Sequence, residues 1–132
     1  HINGNVIFGK NIKIWRIVHL STFPNQTLTI EDNVKILWGD IIKGNIVIGE
    51  NSTIESSVNM TGSDEFPLRI GKNVLIKGSS YLFGSVVEDD VTIEHSVLIK
   101  KKIKAENDAT GKIKPVRFYI PETEGKDLLS DI

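Results

Sequence analysis

The sequence predicts an all-β fold: a single-stranded parallel β-helix of about five coils, followed by a C-terminal β-hairpin or extra strands. Three observations carry this reading. Of the 132 residues, 20 are Ile and 11 Val, against 9 Leu and 2 Ala; strands favour β-branched residues where helices favour Ala and Leu. A large apolar residue recurs every six positions, from Ile2, Phe8, Ile14 and Leu20, through Ile30, Ile36, Ile42, Ile48, Ile54 and Met60, to Ile70, Ile76, Leu82, Val87, Ile93 and Ile99. Five fragments of one kind punctuate that ladder: Phe8-Gly9-Lys10-Asn11, Ile30-Glu31-Asp32-Asn33, Ile48-Gly49-Glu50-Asn51, Ile70-Gly71-Lys72-Asn73 and Val87-Glu88-Asp89-Asp90.

Taken in chain order, the ladder is a run of short strands, each with one large side chain pointing inward and each followed by a turn. A two-residue strand period alone gives no six-residue beat. A triangular coil of three such sides does, as in hexapeptide β-helices. Counting the sides cyclically from Ile2 puts all five turn fragments on the same side. Ser21–Thr29 and Thr61–Arg69 each carry a four-residue insertion, and both leave the prism at the same corner. Leu82 to Val87 is one residue short. An antiparallel sandwich also uses many short strands, but it leaves the constant phase without a cause. Sixteen rungs stacked about 4.8 Å apart in each column make a prism about 25 Å tall.

After Ile99 the pattern stops. Lys100–Ala105 and Lys112–Ile120 alternate around Glu106–Gly111, which reads as a hairpin or two extra strands. Pro115 and Pro121 argue against a helix, and Glu122–Ile132 reads as a loose tail or a small terminal helix. The chain thus divides into residues 1–99, the repeat, and 100–132, the C-terminal strands and tail, within one domain.

Net charge −1 argues against a dedicated nucleic-acid binder, and the absence of Cys excludes a disulfide scaffold or thiol nucleophile. No apolar run approaches the length that spans a bilayer, and no secretory signal is read, so the expected setting is cytoplasmic, away from membranes. Trp15, Trp38, Tyr81 and Phe83 stand next to inward positions and therefore point outward. Four outward aromatics on a small prism suggest an interface, and three chains side by side form the natural closed assembly, a homotrimer. The competing reading places these rings beneath the two corner loops.

The segment 48–99 resembles the γ-class carbonic anhydrases. From Asn51 to Asn73 is 22 residues, with the polar insertion Gly62-Ser63-Asp64-Glu65-Phe66-Pro67, and from Asn73 to Asp90 is 17, through the shortened rung Phe83–Asp90. Phe8-Gly9-Lys10-Asn11-Ile12-Lys13-Ile14-Trp15 is similar to that family's opening coil. The resemblance implies a left-handed helix and a homotrimer. It also implies zinc or iron held by three histidines, with a metal-bound water made acidic. The ligand positions of the family fall here on Thr61, Gly78 and Phe83, none of them histidine. The family's water-handling Gln-Asp pair falls on Glu55-Ser56. Its Arg-Gly-Asp is missing in phase, Trp38-Gly39-Asp40 standing two places early. No metal is therefore predicted, and CO2 hydration is not the expected activity; a binding or scaffold role, or a relocated activity, is.

Acyltransferases share the hexapeptide fold, and acyl transfer is the alternative function. Such an enzyme would use a histidine as general base and bind a coenzyme A thioester between subunits. His19, at the corner where Ser21–Thr29 emerges, and His95, in the column of Gly78 one coil further on, are the candidate catalytic residues. No cofactor is predicted outright; zinc or a coenzyme A thioester is the candidate each family brings. The run Lys100-Lys101-Lys102-Lys104 with Lys112, Lys114 and Arg117 outweighs Glu106 and Asp108 by five charges. It reads as solubility and edge protection.

Overall fold

The computed structural model describes residues 1–119 and 123–132. Ile120, Pro121 and Glu122, and with them the reading of Pro121 as a helix breaker, lie outside the described residues. The chain winds as a parallel β-solenoid of about six turns. The first turn holds β1 (Ile2–Asn3), β2 (Val6–Phe8) and β3 (Lys13–Ile14); the second β4 (His19–Ser21), β5 (Leu28–Ile30) and β6 (Lys35–Ile36). The third holds β7 (Ile41–Gly44), β8 (Ile46–Ile48) and β9 (Thr53–Ile54); the fourth β10 (Val58–Gly62), β11 (Leu68–Ile70) and β12 (Leu75–Ile76). The fifth holds β13 (Ser80–Phe83), β14 (Val86–Val87) and β15 (Thr92–Ile93), and the sixth opens with β16 (Val97–Ile99) and β17 (Lys101–Ile103). Every third strand pairs in parallel, so three sheets form the faces: β1-β4-β7-β10-β13-β16, β2-β5-β8-β11-β14-β17 and β3-β6-β9-β12-β15.

The six-residue rungs are the core. Leu20, Ile42, Met60 and Leu82 stack in register on the first face, Ile30, Ile48, Ile70 and Val87 on the second, Ile36, Ile54, Ile76 and Ile93 on the third. All are buried. A second inward residue two positions earlier completes the filling on all three faces, as with Val18 and Val58, Leu28, Ile46 and Leu68, or Val34 and Val74. Parallel strands that bury one face fully and expose the other select this alternation.

The turn fragments earn their composition at the corner between the second and third faces. Asn11, Asn33, Asn51, Asn73 and Asp90 all sit at positive φ, between 56° and 66°. That left-handed conformation costs most side chains about 1–2 kcal/mol but is tolerated by Asn and Asp. The side chains also stack: Asn11 Nδ2 donates to Asn33 Oδ1 at 3.2 Å and Asn73 Nδ2 to Asp90 Oδ1 at 3.3 Å. Glycine at Gly49 answers a close approach instead, since a Cβ there would lie 2.3 Å from the carbonyl oxygen of Gly71 in the next coil. The two insertions do leave one corner, between the first and second faces, and they are tied together by Gln26 Nε2 donating to Asp64 Oδ1 at 3.0 Å.

The ends depart from expectation. Ile2, Phe8 and Ile14 pair in register with Leu20, Ile30 and Ile36, yet they are 55%, 40% and 39% exposed because no coil stacks on them in this structure. At the other end the rung is Leu98, not Ile99: Leu98 is buried opposite Leu82, and Ile99 points outward opposite Phe83. Ile93 to Leu98 is thus a second shortened step. The repeat also runs on past residue 99. β17 pairs in parallel with β14, buries Ile103 and is a solenoid side, not a hairpin limb. Val116 bridges to Ile93 in parallel and closes the sixth turn. Between them, Asn107 and Ile113 form an antiparallel bridge across the turn 108–111.

The expected extra strands follow, as β18 (Arg117–Phe118) pairs antiparallel with β19 (Thr123–Glu124). The terminal segment is not loose. A short 3-10 helix, Lys126–Leu128, leads into β20 (Leu129–Asp131), which pairs antiparallel with β17 and buries Leu128 over the last coil.

Candidate functional site

On the first face, outward side chains form two columns. One runs His19, Ile41, Asn59, Tyr81, Val97 and the other Ser21, Lys43, Thr61, Phe83, Ile99, each register partner one coil from the next. Ile41, Val97 and Ile99 are 42%, 46% and 48% exposed, and Tyr81 and Phe83 half-buried. Tyr81, Phe83, Val97 and Ile99 thus form one apolar strip on β13 and β16, and Ile41 is set apart from it by Asn59 and Thr61 of β10. The four outward aromatics are therefore divided by the fold. Tyr81 and Phe83 stand on this face, whereas Trp15 and Trp38 line a separate groove at the third face. Phe83 also rests against Phe66 of the corner loop, ring centroids 6.5 Å apart, with Lys100 Nζ 4.2 Å over the Phe66 ring. For that one aromatic the loop supplies cover.

The three positions that correspond to the metal ligands of the resembled family fall within this neighbourhood. Thr61 and Phe83 are register partners on the outer surface of β10 and β13. Gly78 lies at the corner that precedes β13, where a Cβ would meet the carbonyl oxygen of Ser56 at 1.8 Å. A phenyl ring and a hydrogen cannot coordinate zinc, and the one hydroxyl left is not among its usual ligands. Gly78 has no room even for a methyl group, so histidine there would need the backbone of Ser56 to move. Among the described residues no three His, Cys, Asp or Glu side chains come together as a metal site. These residues do not fit the metal.

The two histidines are set apart. His19 is exposed on β4, its ring 5.5 Å from that of His1, and four strand spacings, about 19 Å, from the strand that follows His95. His95 occupies the corner between the third and first faces at φ 37°. It borders a shallow, mostly apolar groove of about 300 Å³ with Ser79, Tyr81, Val97 and Tyr119. Its corner lies one coil beyond that of Gly78 and Ser79 and is one residue shorter, since Ile76 pairs with Ile93 and Tyr81 with Val97 on either side. Ser80 and Ser96 in the same wall are spoken for: Ser80 Oγ donates to the carbonyl of Lys77 at 2.7 Å and accepts the Ser96 amide at 3.0 Å, while Ser96 Oγ donates to the carbonyl of Glu94 at 2.7 Å.

Two charged groups escaped the sequence reading. Asp40 is fully buried at the Leu37–Asp40 corner, where Oδ1 accepts the Val58 amide at 2.8 Å and Oδ2 the Leu37 amide at 3.2 Å. Burial pushes its carboxyl up to about 7 against the pull of these two donors. Glu94 is held below the ordinary carboxylate range. Burial opposes its ionisation, but Arg117 and Lys77, the latter at 3.1 Å, together outweigh it. Arg117 also reaches Glu124 at 2.8 Å, so this trio fastens β18 and β19 to the third face.

Compared with known proteins, the chain matches no protein-family model. No curated protein matches it significantly either. None of the described helices is long and apolar enough to cross a membrane.

Proposed function

We propose that this chain is a β-solenoid binding or scaffold subunit, similar in plan to the γ-class carbonic anhydrases but without CO2 hydratase activity, and that it assembles as a homotrimer through its first face. The observation that carries this is the outer surface of β7, β10, β13 and β16. Where the resembled family needs imidazoles, this chain presents a phenyl ring, a threonine and a crowded glycine, beside an apolar strip of Tyr81, Val97 and Ile99, with the exposed Ile41 beyond Asn59 on the same face. Burying such a strip contributes about 25 cal/mol per Å² of apolar surface.

Sedimentation analysis tests the assembly: a mass of three chains is expected, and Ile41→Glu with Val97→Glu, both exposed in the single chain, should release monomers of unchanged circular dichroism. A monomeric parent chain refutes the assembly. Elemental analysis with a CO2 hydration assay tests the chemistry. Stoichiometric zinc together with catalysed hydration refutes the reading of Thr61, Gly78 and Phe83.

A second reading is favoured by one observation, the apolar groove beside His95. In an acyl transfer His95 would take the proton of an acceptor hydroxyl or amine as that group attacks the thioester carbonyl. The carbon–sulfur bond breaks, and the proton passes on to the leaving thiolate. Saturable acetyl-coenzyme A binding, with turnover lost in His95→Ala and kept in His19→Ala, supports this reading; absence of binding removes it.

A further inference from the structure

We infer that the groove over the first two coils of the third face binds single-stranded nucleic acid. It has a volume of about 580 Å³, is open along one side, and is lined by Ile12, Lys13, Ile14, Trp15, Arg16 and Trp38. Two features of this wall point to a ligand that is both anionic and ring-bearing.

The first is uncompensated charge. Lys13 and Lys35 are direct register partners on adjacent strands, about 4.8 Å apart along the sheet. Like charges placed opposite one another destabilise a sheet. Five cations elsewhere are held in ion pairs: Lys72 with Glu50, Lys77 and Arg117 with Glu94, Lys101 with Asp131, and Lys114 with Glu106 and Asp127. Lys13, Lys35 and Arg16 take part in none of the ion pairs among the described residues. The first acidic residue in the chain is Glu31, whereas Lys10, Lys13 and Arg16 all precede it. The net charge of −1, which set nucleic acid aside on the sequence alone, averages over this segregation.

The second feature is the pair of indoles. Trp38 is 47% exposed and Trp15 half-exposed on the same groove. Exposed aromatic faces beside a basic track are how proteins hold single strands: bases stack on the rings while the phosphates follow the cations. A duplex hides its base faces, and a polyanion without rings has nothing to lay on an indole. The inference does not rest on the trimer or on the absence of hydratase activity.

Trp15 and Trp38 are the only tryptophans in the chain, so emission excited selectively in tryptophan, beyond the tyrosine absorption band, reports this groove alone. Titration with a short oligothymidylate at low salt should quench the emission saturably. With three cations engaged, the logarithm of affinity should fall against the logarithm of salt with a slope of about −2, at about −0.7 per phosphate neutralised on a single strand. Lys13→Gln with Lys35→Gln, both exposed, should reduce that slope to about −0.7. Trp38→Ala should weaken binding about tenfold, as expected for one lost stacking platform, measured by anisotropy of the labelled oligonucleotide. No quenching at low salt overturns the inference. So does equal binding of inorganic polyphosphate or of a duplex, and so does an affinity that Trp38→Ala leaves unchanged.

Discussion

Raising the pH from 4 to 8 is expected to weaken this fold through one residue, Asp40. Its carboxyl is fully buried, and its pKa rises from 3.8 in the open chain to about 7 in the folded one. A group whose folded pKa is raised lends stability below its unfolded value and loses it as pH climbs through the folded value. About three pH units at roughly 1.36 kcal/mol each give a swing of about 4 kcal/mol. Other carboxylates titrate too, so the useful quantity is the difference between the parent chain and Asp40→Asn. The Asn carbonyl still accepts the Val58 amide, but its NH2 faces the Leu37 amide and forfeits that bond, at about 1–3 kcal/mol independent of pH. The variant should therefore be the less stable protein near pH 4 and the more stable one near pH 8. Urea denaturation of both proteins at fixed concentration, followed by circular dichroism, reads the crossing. A difference that stays flat from pH 4 to 8 would show that water reaches the carboxylate and that the corner is not desolvated.

Ile17→Gly should stabilise the protein by about 1 kcal/mol in thermal denaturation: Ile17 holds φ at 62° while 72% exposed, and glycine already fills the equivalent corner one coil later, at Gly39. Ile54→Ala in the middle coil should cost about 2–5 kcal/mol in a denaturant midpoint, because the void is roofed by Ile36 and Ile76 and cannot collapse. Glu94→Gln should speed tryptic cleavage after Lys112 and Arg117 severalfold without moving the far-UV spectrum, since it unfastens β18 and β19 from the solenoid. The parent chain should itself loosen this segment, read by faster amide hydrogen exchange in β18 and β19 than in the core strands, as pH falls through the depressed pKa of Glu94, the window in which its ion pairs dissolve.

The period of the fold was legible because each rung demands the same thing, one large aliphatic residue facing an axis, and because the left-handed corner selects Asn or Asp at each of five turns. Phase was lost where three aliphatics run together: Val97-Leu98-Ile99 fits two registers, and only the backbone pairing with β13 decides for Leu98. The closing strands were obscure for another reason. β20 completes its hydrogen bonds on β17, a partner set by the folded end of the solenoid and by no local pattern. The outer surfaces were hardest to read. Their columns join residues 16, 18 or 22 positions apart, so four aromatics that look alike in sequence land on two different faces. Asp40 was passed over because Trp38-Gly39-Asp40 reads as an ordinary turn, whereas the coil above it, through the Val58 amide, seals the carboxyl from solvent.

The reversed direction of β20 sets up a mechanical asymmetry. Each coil touches only its neighbours, so a force applied at the first coil can peel the prism strand by strand, breaking a few hydrogen bonds at a time. A force applied at the last residue meets β20 lying antiparallel along β17, with Leu128 plugged over the axis. That strand must come away as a block before the last coil can open. Held by its two ends and stretched, the molecule should unwind from its amino-terminal turn in a series of small steps, with the carboxy-terminal turns yielding last.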